Sequence, residues 1–163
     1  MSLFTILLIT AVLSFMPISE LRGAIPFAMV NNIPWYAAFL FATFFNALVA
    51  PFCWLFLATA HKLLYNIGWY HHFFDRFVER ARKKLSGSME KWGWLGIALF
   101  VAIPLPITGA WTGTLGSWVL GVSKQRTMMA VIMGVMGAGI IVTAVMVLGI
   151  EALNLFIKRV DVL

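Results

Sequence analysis

The stretch PISELRGAIP, residues 17–26, decides how this chain is read. It places Glu20 and Arg22 between two prolines, Pro17 and Pro26, with apolar runs on both sides. A charge inside a bilayer costs at least about 2.5–3.5 kcal/mol, so one kept there is normally paired and functional. Each proline removes a backbone donor and crowds the preceding turn. The stretch is therefore expected to break a helix at membrane depth. Such a break survives only where it is buried in protein or lines a wet cavity.

The surrounding composition fits a membrane. Of 163 residues, 62% are hydrophobic and 11% charged, against about 25% charged in soluble domains. The mean hydropathy is +0.94. These values predict one integral membrane domain over residues 1–163, without room for a separate soluble catalytic domain. The N-terminus lacks the basic start and the small-residue cleavage site of a signal peptide, so it is expected to be retained. Cys53, the lone cysteine, sits in an apolar run and reads as packing.

No Asp, Glu, Lys or Arg occurs from Gly23 to His61, from Trp92 to Ser123, or from Thr127 to Ile150. Crossing the hydrocarbon takes about 20 apolar residues. Residues 34–60, with a kink expected at Pro51, and residues 127–150 are long enough. Two other apolar runs are too short to cross, Leu3 to Met16 and Trp94 to Ile103. Each ends at a proline, Pro17 or Pro104, and leads into a Gly- and Pro-bearing loop. The second loop reads PLPITGAWTGTLGS from Pro104 to Ser117. The same order thus occurs twice: short helix, broken loop, short return, full span. MPISELRGA also aligns loosely on IPLPI-TGA, with one gap. Repeats of opposite orientation with broken helices at matching positions are a mark of secondary transporters. The expected fold is all-α, with two inverted-topology halves at 3–60 and 93–157. Each half is a re-entrant helical hairpin followed by a full transmembrane helix.

Residues 61–92 join the halves. Leu63, Ile67, Tyr70, Phe74, Phe77, Ala81 and Leu85 share one helical face, while Asp75, Arg76, Glu79, Arg80, Arg82 and Lys83 fill the other. A basic amphipathic helix with aromatics reads as lying in the membrane interface, or alternatively as a solvated cap on the spans. Seven of the twelve Lys and Arg residues lie between Lys62 and Lys91, which predicts a cytoplasmic linker. His61, His71 and His72 lie in it without a metal-ligand partner at helical spacing, and no metal site is expected. No basic, aromatic-interleaved face lies outside it, which argues against nucleic acid.

Two loops inserted from opposite faces would meet near the midplane, where helix ends present free N–H groups to an anion. Arg22 is read as holding an anionic group, with Glu20 balancing that charge or carrying a proton. The plainer reading is an ion pair that pins the loop. Gly23 and Pro26 complete the first loop; Pro104, Pro106, Thr108, Gly109, Trp111, Thr112 and Gly113 form the second. The hydroxyls of Thr108, Thr112, Thr114 and Ser117 either line the cavity or satisfy their own backbone. Asn46, in mid-span, either lines the cavity or bonds to a neighbouring helix. HExxH, GxSxG, Walker loops and paired carboxylates are all absent from the sequence, so an enzyme is not expected.

On ELRGAIP (Glu20 to Pro26) and PLPITGAWTG (Pro104 to Gly113), the chain resembles the family called putative small multidrug export proteins. The order of segments agrees over nearly its whole length. That family resembles a distant branch of the DedA-type membrane proteins, and the resemblance implies two opposed re-entrant loops and lipid transport with proton dependence. DedA-type proteins bear arginines in the second loop; here that loop has none, and Arg22 stands alone. The expectation is a multi-pass transporter in a prokaryotic plasma membrane. Its substrate would be an amphipathic anion such as undecaprenyl phosphate or a phospholipid. It would use no cofactor beyond a coupling proton. Membrane lipids and a second copy of the chain are the expected partners, with the Gly134 to Gly139 face as one candidate dimer interface. The alternatives are a proton-coupled exporter of small amphipathic drugs and a non-transporting membrane organiser.

Overall fold

The computed structural model describes residues 1–59, 92–105 and 108–160, and Asp75, Arg76, Glu79, Lys83 and Gly87 between them. Side chains are described to residue 150. The amphipathic helix expected over 61–92, the three histidines and Pro106 lie outside the described residues. Among the described residues every regular element is a helix.

Helix α1 (Leu3–Phe15) starts where the Ser2 hydroxyl accepts a hydrogen bond from the Thr5 N–H at 3.2 Å. It stops at Met16, whose backbone is extended (φ −68°, ψ 133°). The Pro17 ring disfavours the helical conformation for the residue before it. Helix α2 (Glu20–Val30) follows at once and contains Pro26 in its interior. The break is therefore shorter than expected: four residues, Met16 to Ser19, rather than the whole of 17–26. Pro26 removes one intrahelical donor but does not end the helix.

Helices α3 (Trp35–Ala47) and α4 (Val49–Ala58) meet at Leu48. Pro51 lies four residues beyond Ala47 and cannot donate to its carbonyl, so the joint falls where proline dictates. Together they form one candidate span, Trp35–Ala58, of 24 residues. Helix α5 (Leu95–Ala102) ends at Ile103, extended (φ −79°, ψ 114°) before Pro104, as Met16 is before Pro17. Helix α6 (Ala110–Val119) begins at Gly109. The second loop, expected to run to Ser117, thus closes seven residues earlier, at Ala110. At the end of α6, Gly121 adopts φ +72° and the Val122 N–H reaches the Ser117 carbonyl at 2.9 Å. This Gly-terminated turn feeds α7 (Lys124–Val160). The stretch Lys124–Ile150 of α7 is the second candidate span, 27 residues long.

Polarity is distributed as membrane solvent requires. Phe4, Leu8, Leu40, Phe44, Leu55, Ile140, Val145 and Leu148 are exposed, while Thr10, Ser14, Glu20, Asn46, Thr114 and Ser117 are buried. An apolar surface this extensive would aggregate in water. Only 33% of the most apolar window of each span is buried.

The core is built of small residues. Ala24, Ala38, Ala42, Ala50, Ala110 and Ala130 are fully buried, so helix axes approach closely. α5 packs on α7, α1 on α2 and α3, and α6 on α4 and α7. A Cβ at Gly134 would lie 2.7 Å from the Ala98 carbonyl oxygen, and one at Gly139 would lie 2.8 Å from Phe39 and Thr43. The Gly134 to Gly139 face, expected as a candidate dimer interface, is filled from within the chain by α5 and α3.

Candidate functional site

Each proline break leaves helix-end carbonyls without an intrahelical partner. The first break leaves Ser14 and Phe15 open. Asn46 Nδ2, from α3, donates to the Ser14 carbonyl at 2.6 Å. Trp111 Nε1, from α6, donates to the Phe15 carbonyl at 2.8 Å. The indole is held edge-on against Phe15 and Phe52, with ring centroids 5.6 and 6.1 Å away.

The second break, Ile103 to Gly109, is closed from the other half of the chain. Arg22 donates through Nη1 to the Leu105 carbonyl and through Nη2 to the Thr108 carbonyl at 3.3 Å. The Thr108 hydroxyl stitches the loop, lying 2.7 Å from the Ile103 and Leu105 carbonyls and accepting from the Leu105 N–H at 3.1 Å. The Glu20 carboxyl lies against Gly109 at the start of α6, near the backbone N–H groups of Trp111 and Ala110. A helix N-terminus carries a partial positive charge that favours a carboxylate. Glu20 and Arg22 are themselves loosely paired, Oε2 to Nη2 at 3.9 Å. Arg22 serves the acceptors of the second break, and the Glu20 carboxyl faces the helix start that follows it. First-half side chains close the second break, and a second-half indole helps to close the first.

Local geometry supports the arrangement. Gly109 has φ +153° and ψ −170°, a conformation essentially confined to glycine. A Cβ there would run into the Glu20 carboxyl. Glu20 itself has φ +46°, uncommon for a residue with a side chain. It is 6% exposed.

Glu20, Arg22, Asn46, Pro104 and Thr108 line one small pocket with Val101 and Val135. Its free space is about 10 Å³, the lower limit for a single water. Asn46 both lines the pocket and donates to a neighbouring helix. Other expected members lie apart from the pocket. Pro26 is inside α2, and Gly113 packs on Val101. Gly23 faces the Ser19 side chain. Thr112 is buried on α6. Thr114 and Ser117 bond back to the carbonyls of Ala110 and Gly113, which is the backbone-satisfying alternative. Leu105, Phe15 and Phe52 were not expected at the site. Leu105 contributes only a carbonyl, which carries no sequence signal. Among the described residues no group of three or more His, Cys, Asp or Glu comes together as a metal site.

Trp111→Phe should keep the aromatic contacts and strand the Phe15 carbonyl, at a cost of about 1–3 kcal/mol. Thermal unfolding in detergent should show this loss, with Trp92→Phe, at a 57% exposed position, unchanged.

No curated protein and no solved structure matches the chain. A family model matches residues 20–141, from Glu20 just after the first break, through the second break and into the second span, and on that match the chain belongs to the family described as "Putative small multi-drug export protein".

Proposed function

We propose that this chain is a DedA-like transporter that moves an amphipathic anion, a lipid phosphate such as undecaprenyl phosphate or a phospholipid, across a cell membrane. The proposed architecture is two re-entrant hairpins, α1–α2 and α5–α6, inserted from opposite faces and meeting at the midplane. Three features support it: the two short helices stopped by proline, the cross-bonding of the breaks, and the packing of α1 on α3 and α6 on α4. Residues 61–92 would lie on the cytoplasmic side of a multi-pass protein. A dimer would use a face other than Gly134 to Gly139.

The observation that carries the reading is Glu20. Its buried carboxyl sits against Gly109 at the start of α6, and a helix start is a site that suits an anionic headgroup. Arg22 lies beside it and is the only Lys or Arg before Lys62. An incoming phosphate would take over the Ala110 and Trp111 N–H groups and draw Arg22 away from its carbonyls. Glu20 would then leave its seat, and protonation would remove the repulsion between the two anions. This gives proton coupling a physical basis. Export of small amphipathic drugs is the second reading, favoured by the family description.

The test is translocation of a headgroup-labelled anionic phospholipid in proteoliposomes. Wild type should translocate it, and Arg22→Ala, still folded, should not. Inactivity of the wild type with and without a pH gradient would sink the lipid reading.

A further inference from the structure

The pocket at Glu20 and Arg22 is too small for a headgroup, so a substrate must reach it by parting two helices. One seam is built for that. Between α3 and α7 lies a groove of about 430 Å³, lined by Trp35, Phe39, Ile140, Thr143, Ala144 and Leu148, among others. Its volume is that of a ligand pocket. Both walls belong to candidate membrane spans. Trp35 and Tyr36, exposed and stacked edge-on at 5.7 Å, stand at the start of the span, where aromatic anchors mark the interface.

Two features set this groove apart from an ordinary lipid-facing furrow. The first is its hydroxyls. The buried side chains of Thr10, Ser14, Thr114 and Ser117 bond back to their own helices, while that of Thr127, outside the groove, does not. Thr143, 6% exposed and lining the groove, has no hydrogen-bond partner among the described residues. Thr43 lacks one too, and its oxygen lies 2.8 Å from where a Cβ at Gly139 would be. A buried hydroxyl without a partner costs about 1–3 kcal/mol. The second feature is continuity. Trp35, Phe39, Thr43 and Asn46 follow one face of α3 at helical spacing. That face starts in the groove and ends in the charged pocket, of which Asn46 is a wall. Between them the Phe39 ring closes the seam against Gly139.

We infer that the α3–α7 seam is a lateral portal for a phospholipid: its acyl chain lies in the groove, and its phosphate passes along Thr143, Thr43 and Asn46 to Arg22. This rests on the transport reading for its destination, while the groove and its occupant stand on the groove's own geometry. The hydroxyls and the amide supply the hydrogen bonds that the headgroup loses with water. The chain never leaves an apolar surface. Phe39 is the side chain that must swing for the headgroup to pass.

The test uses the full chain in phosphatidylcholine vesicles doped with a phosphatidic acid that carries a photoactivatable diazirine at its chain end. After illumination, labelled peptides are mapped by mass spectrometry. Labelling should concentrate on Trp35 to Phe39 and Ile140 to Leu148. It should be lost in Ala144→Trp and in Leu148→Trp, two exposed positions where a large ring blocks the groove without entering the core. In the same vesicles Thr43→Val should slow translocation without lowering thermal stability, because replacing an unpartnered hydroxyl is neutral or stabilising. Labelling spread evenly over the apolar surface, or unchanged in both blocking variants, would overturn the portal. So would disulfide formation between copies through Ala144→Cys, which would make the groove a dimer contact. Seam labelling without translocation by the wild type would keep the groove and remove the transport reading. Translocation without seam labelling would do the reverse.

Discussion

Gly109→Ala is expected to open the junction between the two halves. Two penalties coincide at this position. An alanine at φ +153° is strained by about 1–3 kcal/mol. Its methyl group would also occupy the place of the Glu20 carboxyl, with Oε1 and Cδ both at 2.5 Å. The carboxyl must then withdraw from the start of α6, leaving that helix start without the group that faces it. A double-mutant cycle separates the penalties. If the collision dominates, Glu20→Ala should partly rescue Gly109→Ala, with a coupling of about 0.5–3 kcal/mol. If backbone strain alone acts, the two losses should add. Thermal unfolding in detergent reads both.

The second large effect belongs to Arg22. Its guanidinium spans two carbonyls of a broken segment, at Leu105 and Thr108. Arg22→Ala strands both and leaves Glu20 without a nearby cation. A hydrogen bond to a charged group is worth about 1.5–3 kcal/mol. At roughly 2–4 °C per kcal/mol for a chain of this size, a fall of about 5–10 °C in melting temperature is expected. The side chain is 23% exposed, so the lower part of that range applies. Arg22→Lys is not a conservative change here. A single ammonium is a point charge and cannot reproduce a fork across two carbonyls. It should recover about half of the loss. Full recovery would mean that the charge alone matters and the fork does not.

The outline of the fold was legible because proline acts locally. Pro17 and Pro104 each bias the preceding residue out of the helix, so the ends of α1 and α5 were legible to within one residue. The breaks themselves were read as too long. Pro26 and the glycines of the second loop looked like breakers, but a helix tolerates one missing donor, and Gly109 is where the second loop stops. The charges of Glu20 and Arg22 marked the site from the sequence, as did the position of Asn46 in mid-span. Their partners did not show. Arg22 acts on carbonyls 83 and 86 residues away, and Trp111 on one 96 residues away. Such pairings arise only when two helix ends are brought face to face. The threonines illustrate the same limit. Thr114 and Thr143 look alike in sequence, yet one satisfies its own helix and the other does not.

Two opposed re-entrant hairpins make a definite demand on sidedness, and single-cysteine labelling with a membrane-impermeant maleimide tests it directly. In a Cys53→Ser background, cysteines would be placed at Ser2, Asn32, Trp92 and Gly121, which flank the two hairpins. Ser2 and Asn32 should label from one face of the membrane, and Trp92 and Gly121 from the other. If the two members of either pair label from opposite faces, that broken segment crosses the bilayer, and the meeting of two re-entrant loops at Glu20 and Gly109 is contradicted.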